Sequence, residues 1–383
     1  MANIHDIQRD EFQLFGKQAR LGYDWWWHSL TAHDAETGEG KAFFIEFFTC
    51  NPDLGSKKPV FGQLPGTTDT PVKPSYVMVK AGAWGADGKG QLHRFFGWHE
   101  IRLYKGAPFE LTAGDCYVTE THTNGHIVVS ERQAEEHPEW MSDAGEMSWN
   151  LEINKQVAFN VGYGASSPMR RKQWFEMFWH AEGMKTAYQG EIIWNGRRYI
   201  VEPDTCYGYA DKNWGKGFTT PWVWLSSCDL VSEITGRRLT DSVFDIGGGK
   251  PKIGPLVLDR KLLADFWYEG RDYEFNFSKP WTGCRTKFNC YETDTHIVWH
   301  VEQSTWKYRM ITDITCKKED MIWVNYEAPN GEKRHKRLWN GGNGTGTVEL
   351  YCGKKLIDRV RAEHVGCEYG EYDVTEPYSA SSR

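Results

Sequence analysis

Tight-turn chemistry constrains this chain more than any other feature. Asn124-Gly125 in "CYVTETHTNGHIVVS", Asn195-Gly196 in "GEIIWNGRRYIVEP" and Asn330-Gly331 in "VNYEAPNGEKRHKRLW" each stand between alternating runs, and "AWGADGKGQLHRFF" adds Asp87-Gly88. Asn-Gly and Asp-Gly suit the two-residue type I′ hairpin turn, whose central residues both need positive φ. Repeated hairpins of this kind predict an antiparallel, all-β protein. Alternation in "THIVWHVEQSTWKYRMITDI" agrees. Aromatic residues make up 15% of a chain whose mean hydropathy is −0.63, with 19 Trp, and a core of aromatics suits pleated surfaces better than helix bundles. One stretch, "PMRRKQWFEMFWHAEG", reads as a short helix started by Pro168 and stopped by Gly183, with Trp174, Met177 and Phe178 on one side.

A length of 383 residues exceeds the roughly 250–300 at which single cores stop growing, so two domains are expected. A net charge of −7 with scattered Lys and Arg leaves no basic stripe for phosphates, which argues against nucleic acid as a partner. No apolar run approaches the ~20 residues of a membrane span. The first residues carry charges where a signal peptide needs an apolar segment, so a cytoplasmic protein is expected. Nine widely spread cysteines, with no C-x-x-C pair, read as reduced thiols rather than a disulfide framework or a zinc site. A homo-oligomer is neither required nor excluded.

Several features that resemble chemistry have plainer readings. His122 and His126 are spaced like a helical zinc pair, but a turn at Asn124-Gly125 would place them on different strands with diverging side chains. "DIGGGKPKIG" and "NGGNGTGT" lack the order of a phosphate-binding loop and read as plain loops. In "GYDWWWHSL", Trp25 and Trp27 share one strand face and Trp26 and His28 the other; in "GKAFFIEFFTCNP", Glu46 lies between Phe44 and Phe48 on one face. If that face is closed from water the Glu46 carboxyl is desolvated and becomes a possible proton donor; otherwise it faces solvent or pairs with an Arg.

The stretch "YGYADKNWGKGFTTPWVWLSS" holds Gly208, Tyr209, Asp211, Asn213, Trp214 and Gly215, then Trp222 and Trp224, and follows "WHAEGMKTAYQGEIIWNGRRY" from Trp179 to Tyr199. Over about Trp179 to Ser227 the sequence resembles the tocopherol cyclase-like family, and more distantly the lipocalin-like group with carotenoid hydratases and fungal Diels–Alderases. It departs from the family where Thr219-Thr220-Pro221 follows Phe218 and where Ser226 and Ser227 replace a common Gln, positions that bear on substrate identity. The resemblance implies two consecutive lipocalin-like barrels, which we divide at 1–185 and 186–383, with the Asn-Trp-Gly strand near the start of the second and a ligand cavity near their interface. It also implies redox-neutral addition to a carbon–carbon double bond of an amphiphilic phenol, prenylated compound or polyene, with no cofactor and no metal.

Protonating an alkene requires an acid that holds its proton near neutral pH. Asp211 is the first candidate, with Asn213, Glu46 and Tyr209 as further catalytic candidates; Asp211 reads equally well as a turn cap. Trp214, Trp222, Trp224, Trp27, Tyr188, His28 and His93 are the candidate substrate contacts, and Lys212 is expected to face solvent. A non-catalytic carrier of a hydrophobic molecule and an aromatic carbohydrate-binding platform are the alternatives.

Overall fold

The computed structural model describes residues 10–51, 60, 75–104, 106, 108–159, 172–253, 256–324, 326–329, 331, 334–335 and 338–373. A first antiparallel sheet contains β1 (Gly22–Asp34), β2 (Gly40–Asn51), β3 (Tyr76–Ala83), β4 (Gly90–Gly97), β5 (Ile101–Tyr104), β6 (Glu110–Ala113), β7 (Cys116–Thr119), β8 (His122–Val129), β9 (Gly145–Phe159), β10 (Met177–Trp194), β11 (Arg197–Val201) and β12 (Gly208–Gly215). Its order is β4-β3-β2-β1-β11-β10-β9-β8-β7-β6-β5, with β12 also bridging β1 and β10. The sheet curls until β4 packs against β8. A six-residue helix, Glu131–Glu136, is capped by the Ser130 hydroxyl.

The second sheet contains β13 (Trp222–Ser227), β14 (Asp229–Ser232), β15 (Ser242–Gly249), β16 (Lys261–Tyr268), β17 (Arg271–Phe275), β18 (Arg285–Glu292), β19 (His296–Ser304), β20 (Tyr308–Lys317), β21 (Ile322–Val324), β22 (Leu338–Cys352) and β23 (Lys355–Gly370). Its order is β17-β16-β15-β13-β23-β22-β20-β19-β18, with β14 beside β23 and β21 beside β22. Two two-stranded ribbons of two residues per strand lie outside these sheets. The expected all-β, two-barrel class is the observed one.

Hydrophobic packing divides into three cores. One, with Trp26, Phe43, Phe47, Trp149 and Ile192, fills the first barrel; another, with Leu225, Phe244, Trp299 and Val360, fills the second. The third lies between the sheets and takes Trp25, Trp27, Phe44, Phe48, Trp179, Tyr209, Trp222 and Trp224. Central strands such as β1 and β12 are therefore buried on both faces. Apolar-polar alternation disappears from such strands, as it does in any sheet covered on both sides.

That double burial explains one departure from the sequence reading, and the sheet order shows a second. The expected helix from Pro168 to Gly183 is absent in its described part: residues 177–183 belong to β10, with Phe178 and His180 on one face and Trp179 and Ala181 on the other, all buried. Pro168 lies outside the described residues. Residue 185 lies inside β10, and the chain passes from the first sheet to the second between Gly215 and Trp222. The Asn-Trp-Gly strand β12 thus closes the first sheet rather than opening the second.

The turn signals hold in part. Asn195 (φ 49°) and Gly196 (φ 79°) make the β10–β11 hairpin as a type I′ turn requires, and Asp87-Gly88 lies in the longer β3–β4 connection. Asn330 lies outside the described residues. Asn124-Gly125, however, is interior to β8, and the turn sits at Glu120-Thr121, where the Thr119 hydroxyl accepts from the Thr121 and His122 amides. Gly125 serves packing, since a Cβ there would lie 2.3 Å from the Trp149 ring. His122 and His126 consequently share one face of one strand, about 13 Å apart at strand rise, and His126 is bonded to Glu146 at 2.8 Å. Among the described residues no group of three or more His, Cys, Asp or Glu is arranged to hold a metal, and no helix is long and apolar enough to cross a membrane. All nine cysteines are unpaired.

Candidate functional site

The space between the two sheets collects the acids. On β12 the odd residues Tyr209, Asp211 and Asn213 face the second sheet, as do Trp25 and Trp27 of β1, because both strands alternate and their even residues already fill the first barrel. Asp211 accepts from Trp179 Nε1 at 2.8 Å, Tyr209 Oη at 2.9 Å and Trp25 Nε1 at 3.3 Å. Burial pushes its pKa up to about 7; the Trp179 and Tyr209 bonds pull it down and nearby Glu368 raises it further. A carboxyl so placed is an acid near neutral pH.

Tyr209 links Asp211 to the second sheet. Its hydroxyl lies 3.3 Å from Asp245 Oδ2, and Asp245 Oδ1 accepts from Trp224 Nε1 at 3.1 Å. One phenol proton serves one carboxylate, so bonding at both short distances requires a proton on one of the acids. Burial, and then Asp211 itself, hold the Asp245 pKa far above the ordinary range. The two aspartates therefore share one hydroxyl, and the Asp211 charge disfavours ionisation of Asp245.

Two further acids complete the layer. Glu368 of β23 accepts from the Trp222 indole and the Asn340 amide, and burial raises it to about 7. Trp84 Nε1 donates to Asn340 at 2.7 Å. Glu46 is not free to act as the proton donor that its apolar surroundings suggested: it is ion-paired with Lys80 at 2.5 Å, and Tyr326 lies 3.1 Å from Lys80 and 3.3 Å from Glu46. Burial nonetheless raises Glu46 and lowers Lys80. Trp27 Nε1, Glu46 Oε1 and Asn213 Nδ2 are buried without a hydrogen-bond partner among the described residues, while Asn213 Oδ1 accepts from Tyr23 at 2.8 Å. Trp27 and Glu46, each with one orphaned buried atom, are register partners on β1 and β2.

A narrow cleft between the sheets runs from Tyr207 and His364 at the surface past Ser29 to Trp84, Tyr209 and Trp224. Its inner end is thus walled by the two side chains that bond Asp245.

The structure separates other expected contacts from this layer. Trp214, His28 and Tyr188 point into the first barrel. Trp214 stacks on Phe178 at 5.6 Å, and His28 Nδ1 lies 2.8 Å from the Tyr188 hydroxyl, which donates to the Tyr209 carbonyl. Period-two alternation puts residue 214 opposite 211 and 213. Lys212, expected in solvent, is fully buried and ion-paired with Asp24. His93 does face the interface beside Lys80, but its ring nitrogens are taken by the Trp140 carbonyl and Gln91, and burial lowers it to about 3. Trp214, Trp222 and Trp224 are 1%, 7% and 3% exposed, so none offers the open face of a carbohydrate platform.

Sequence reasoning missed Asp245, Glu368, Lys80, Tyr326 and the roles of Trp25 and Trp179. Lys80 carried a readable signal, a lone cation in "YVMVKAGA", and Asp245 stands between Phe244 and Ile246 in the same way.

Comparison with known proteins adds family to geometry. A family model described as tocopherol cyclase-like matches residues 99–370. A probable chloroplastic tocopherol cyclase of Oryza sativa subsp. japonica is 35% identical over 139 residues, which are 35% of this chain and 26% of that protein. The chloroplastic tocopherol cyclase of Zea mays is 32% identical over 139 residues, 35% of this chain and 25% of that protein. The matched stretch thus spans about a quarter of each relative. Among solved structures, CghA is similar with a TM-score of 0.51 at 12% identity, covering 96% of this chain and 94% of that one, a likeness of fold.

Proposed function

The chain belongs to the tocopherol cyclase-like family, and on that premise we propose that it is an enzyme, a cyclase or hydratase acting on a carbon–carbon double bond of an amphiphilic prenylated phenol or polyene. The observation that carries the proposal is Asp211, a buried acid raised to about 7 and held by three donors beside an aromatic-walled cleft. In the proposed step the Asp211 carboxyl gives its proton to the less substituted alkene carbon, and the tertiary cation forms among the Trp25, Trp179 and Trp224 rings, whose faces stabilise it by about 0.5–2 kcal/mol each. A phenol hydroxyl of the same molecule, or water, adds to the cation and loses its proton to the Asp211–Tyr209–Asp245 group, which restores the acid. Protons balance and no electrons are transferred.

Incubation with a prenylated hydroquinone, followed by mass spectrometry and proton NMR, tests this. Cyclisation leaves the mass unchanged while the alkene signal disappears, and hydration adds one water. Tight binding with no product over many hours would leave a carrier and defeat the enzymatic proposal.

A further inference from the structure

Tyr207 and His364 meet at the mouth of the cleft, Tyr207 from the segment leading into β12 of the first sheet and His364 from β23 of the second. Both hold left-handed backbone, φ 42° and φ 49°, which costs strain in a residue with a Cβ. Their rings stack at 4.4 Å and 19°. A polar clamp sets this pair: His364 Nδ1 lies 2.6 Å from Asp229 Oδ2, while one Arg238 nitrogen donates to Asp229 Oδ1 at 2.5 Å and to the Tyr207 hydroxyl at 2.7 Å. The Asp229 carboxylate is 6% exposed, against 49% for Arg238, so the clamp is anchored inside and open outside. Tyr207 also lines a wider outer groove with Lys185, Arg238, Thr240 and Asp241. Ser29, Trp84, Tyr209 and Trp224 line the inner cleft alone.

We propose that the Tyr207–His364 stack is the port through which substrate passes from the outer groove to the acid layer, and that its two rings select flat, aromatic-headed molecules for passage. Two strained residues, one from each sheet, facing each other across a seam whose inner wall carries Tyr209 and Trp224, the side chains bonded to Asp245, are explained by this role. Removing either ring relaxes no core packing, because both lie in the mouth, half-buried. The selection of substrate rests on the proposed reaction; the existence of the port does not.

The test therefore begins without substrate. A Ser29→Cys variant places a thiol inside the cleft, and its labelling by N-ethylmaleimide is followed by peptide mass mapping, with Cys284, Cys290 and Cys352 as references in the same molecule. Adding Tyr207→Ala or His364→Ala is expected to speed labelling at position 29 about tenfold, as when a local opening is made easier. Tyr207→Phe, which keeps the ring, should stay within about twofold of the parent by the same reasoning. If the Ala variants do not fold, Arg238→Gln loosens the clamp with both rings in place and should give an intermediate rate. Unchanged labelling at 29 in the folded variants overturns the port. Selection is read separately: in the Ala variants kcat/KM should fall for substrates with flat aromatic heads relative to substrates with non-planar heads, and an unchanged ratio overturns that part. Absence of turnover in the parent defeats the reaction and leaves the labelling result standing.

Discussion

Asp211→Asn should lower turnover by the ~10²–10⁴ that general acid catalysis contributes, in a protein that remains folded. The amide keeps the shape. Its carbonyl oxygen can take the 2.8 and 2.9 Å bonds from Trp179 and Tyr209, so its NH2 is left against Trp25, the longest of the three contacts at 3.3 Å. Stability should move in the opposite direction to activity above neutral pH. With a folded pKa of about 7 against an ordinary 3.8, Asp211 keeps its proton in the native state where the unfolded chain has lost it. Folding then takes up a proton, so stability falls as pH rises between these values, by about 4 kcal/mol in all at 1.36 kcal/mol per unit. Asparagine removes that decline: the melting temperature of the variant should exceed that of the wild type at pH 8 and fall to or below it at pH 4. Wild-type kcat should fall as pH climbs through about 7, where the donor loses its proton. A variant that is fully active and destabilised at every pH would make Asp211 a structural cap.

The class of fold was legible because turns are local. Asn195 and Gly196 both take the positive φ that this pair favours and make the hairpin between adjacent strands. Asn124-Gly125 carries the same two letters inside β8, where the neighbouring Trp149 ring, a long-range contact, decides the glycine. The missed strand at β10 has the same cause. Most of its residues from 177 to 188 are buried, by the first barrel on one side and by the second sheet on the other, so the period-two signal that marks a half-exposed strand is absent there.

The site was legible strand by strand and illegible across sheets. Family resemblance and alternation together singled out Tyr209, Asp211 and Asn213, and these do share a face toward the second sheet. Alternation also decides against Trp214, which the motif alone had grouped with them. What could not be read is that Asp245 and Glu368 come up opposite Asp211 from 34 and 157 positions further along the chain. A lone carboxylate between Phe244 and Ile246 signals burial, but only the packing of the second sheet on the first supplies its partner, Tyr209. Asp211 is raised by burial first and by Glu368 after it, so its chemistry depends on both halves of the chain.

Lys212→Met should be the most destabilising single change in β12. Lys212 points away from Asp211 into the first barrel, where its ammonium is paired with Asp24 and lies 4.1 Å over the Trp26 ring. Neither partner of the pair has any solvent exposure. Met fills the stem volume but leaves Asp24 without its cation, and breaking a buried pair at one end costs about 3–5 kcal/mol, a large share of the 5–15 kcal/mol that typical proteins possess. Burial already raises Asp24 to about 6 with Lys212 opposing that rise. Without Lys212 the pKa moves higher still, so the loss should be greatest above that value and should shrink as the medium is acidified and Asp24 takes up a proton. Adding Asp24→Asn to Lys212→Met should restore most of the stability at pH 8, since the side-chain oxygen can still accept the Gln13 amide that Asp24 Oδ2 now accepts at 2.6 Å. Thermal unfolding of the two single variants and the double variant at pH 5 and pH 8 measures the coupling. A Lys212→Met variant as stable as the wild type at pH 8 would mean that the ion pair contributes nothing to holding β12 against β1, and with it nothing to the placement of Asp211 on the opposite face.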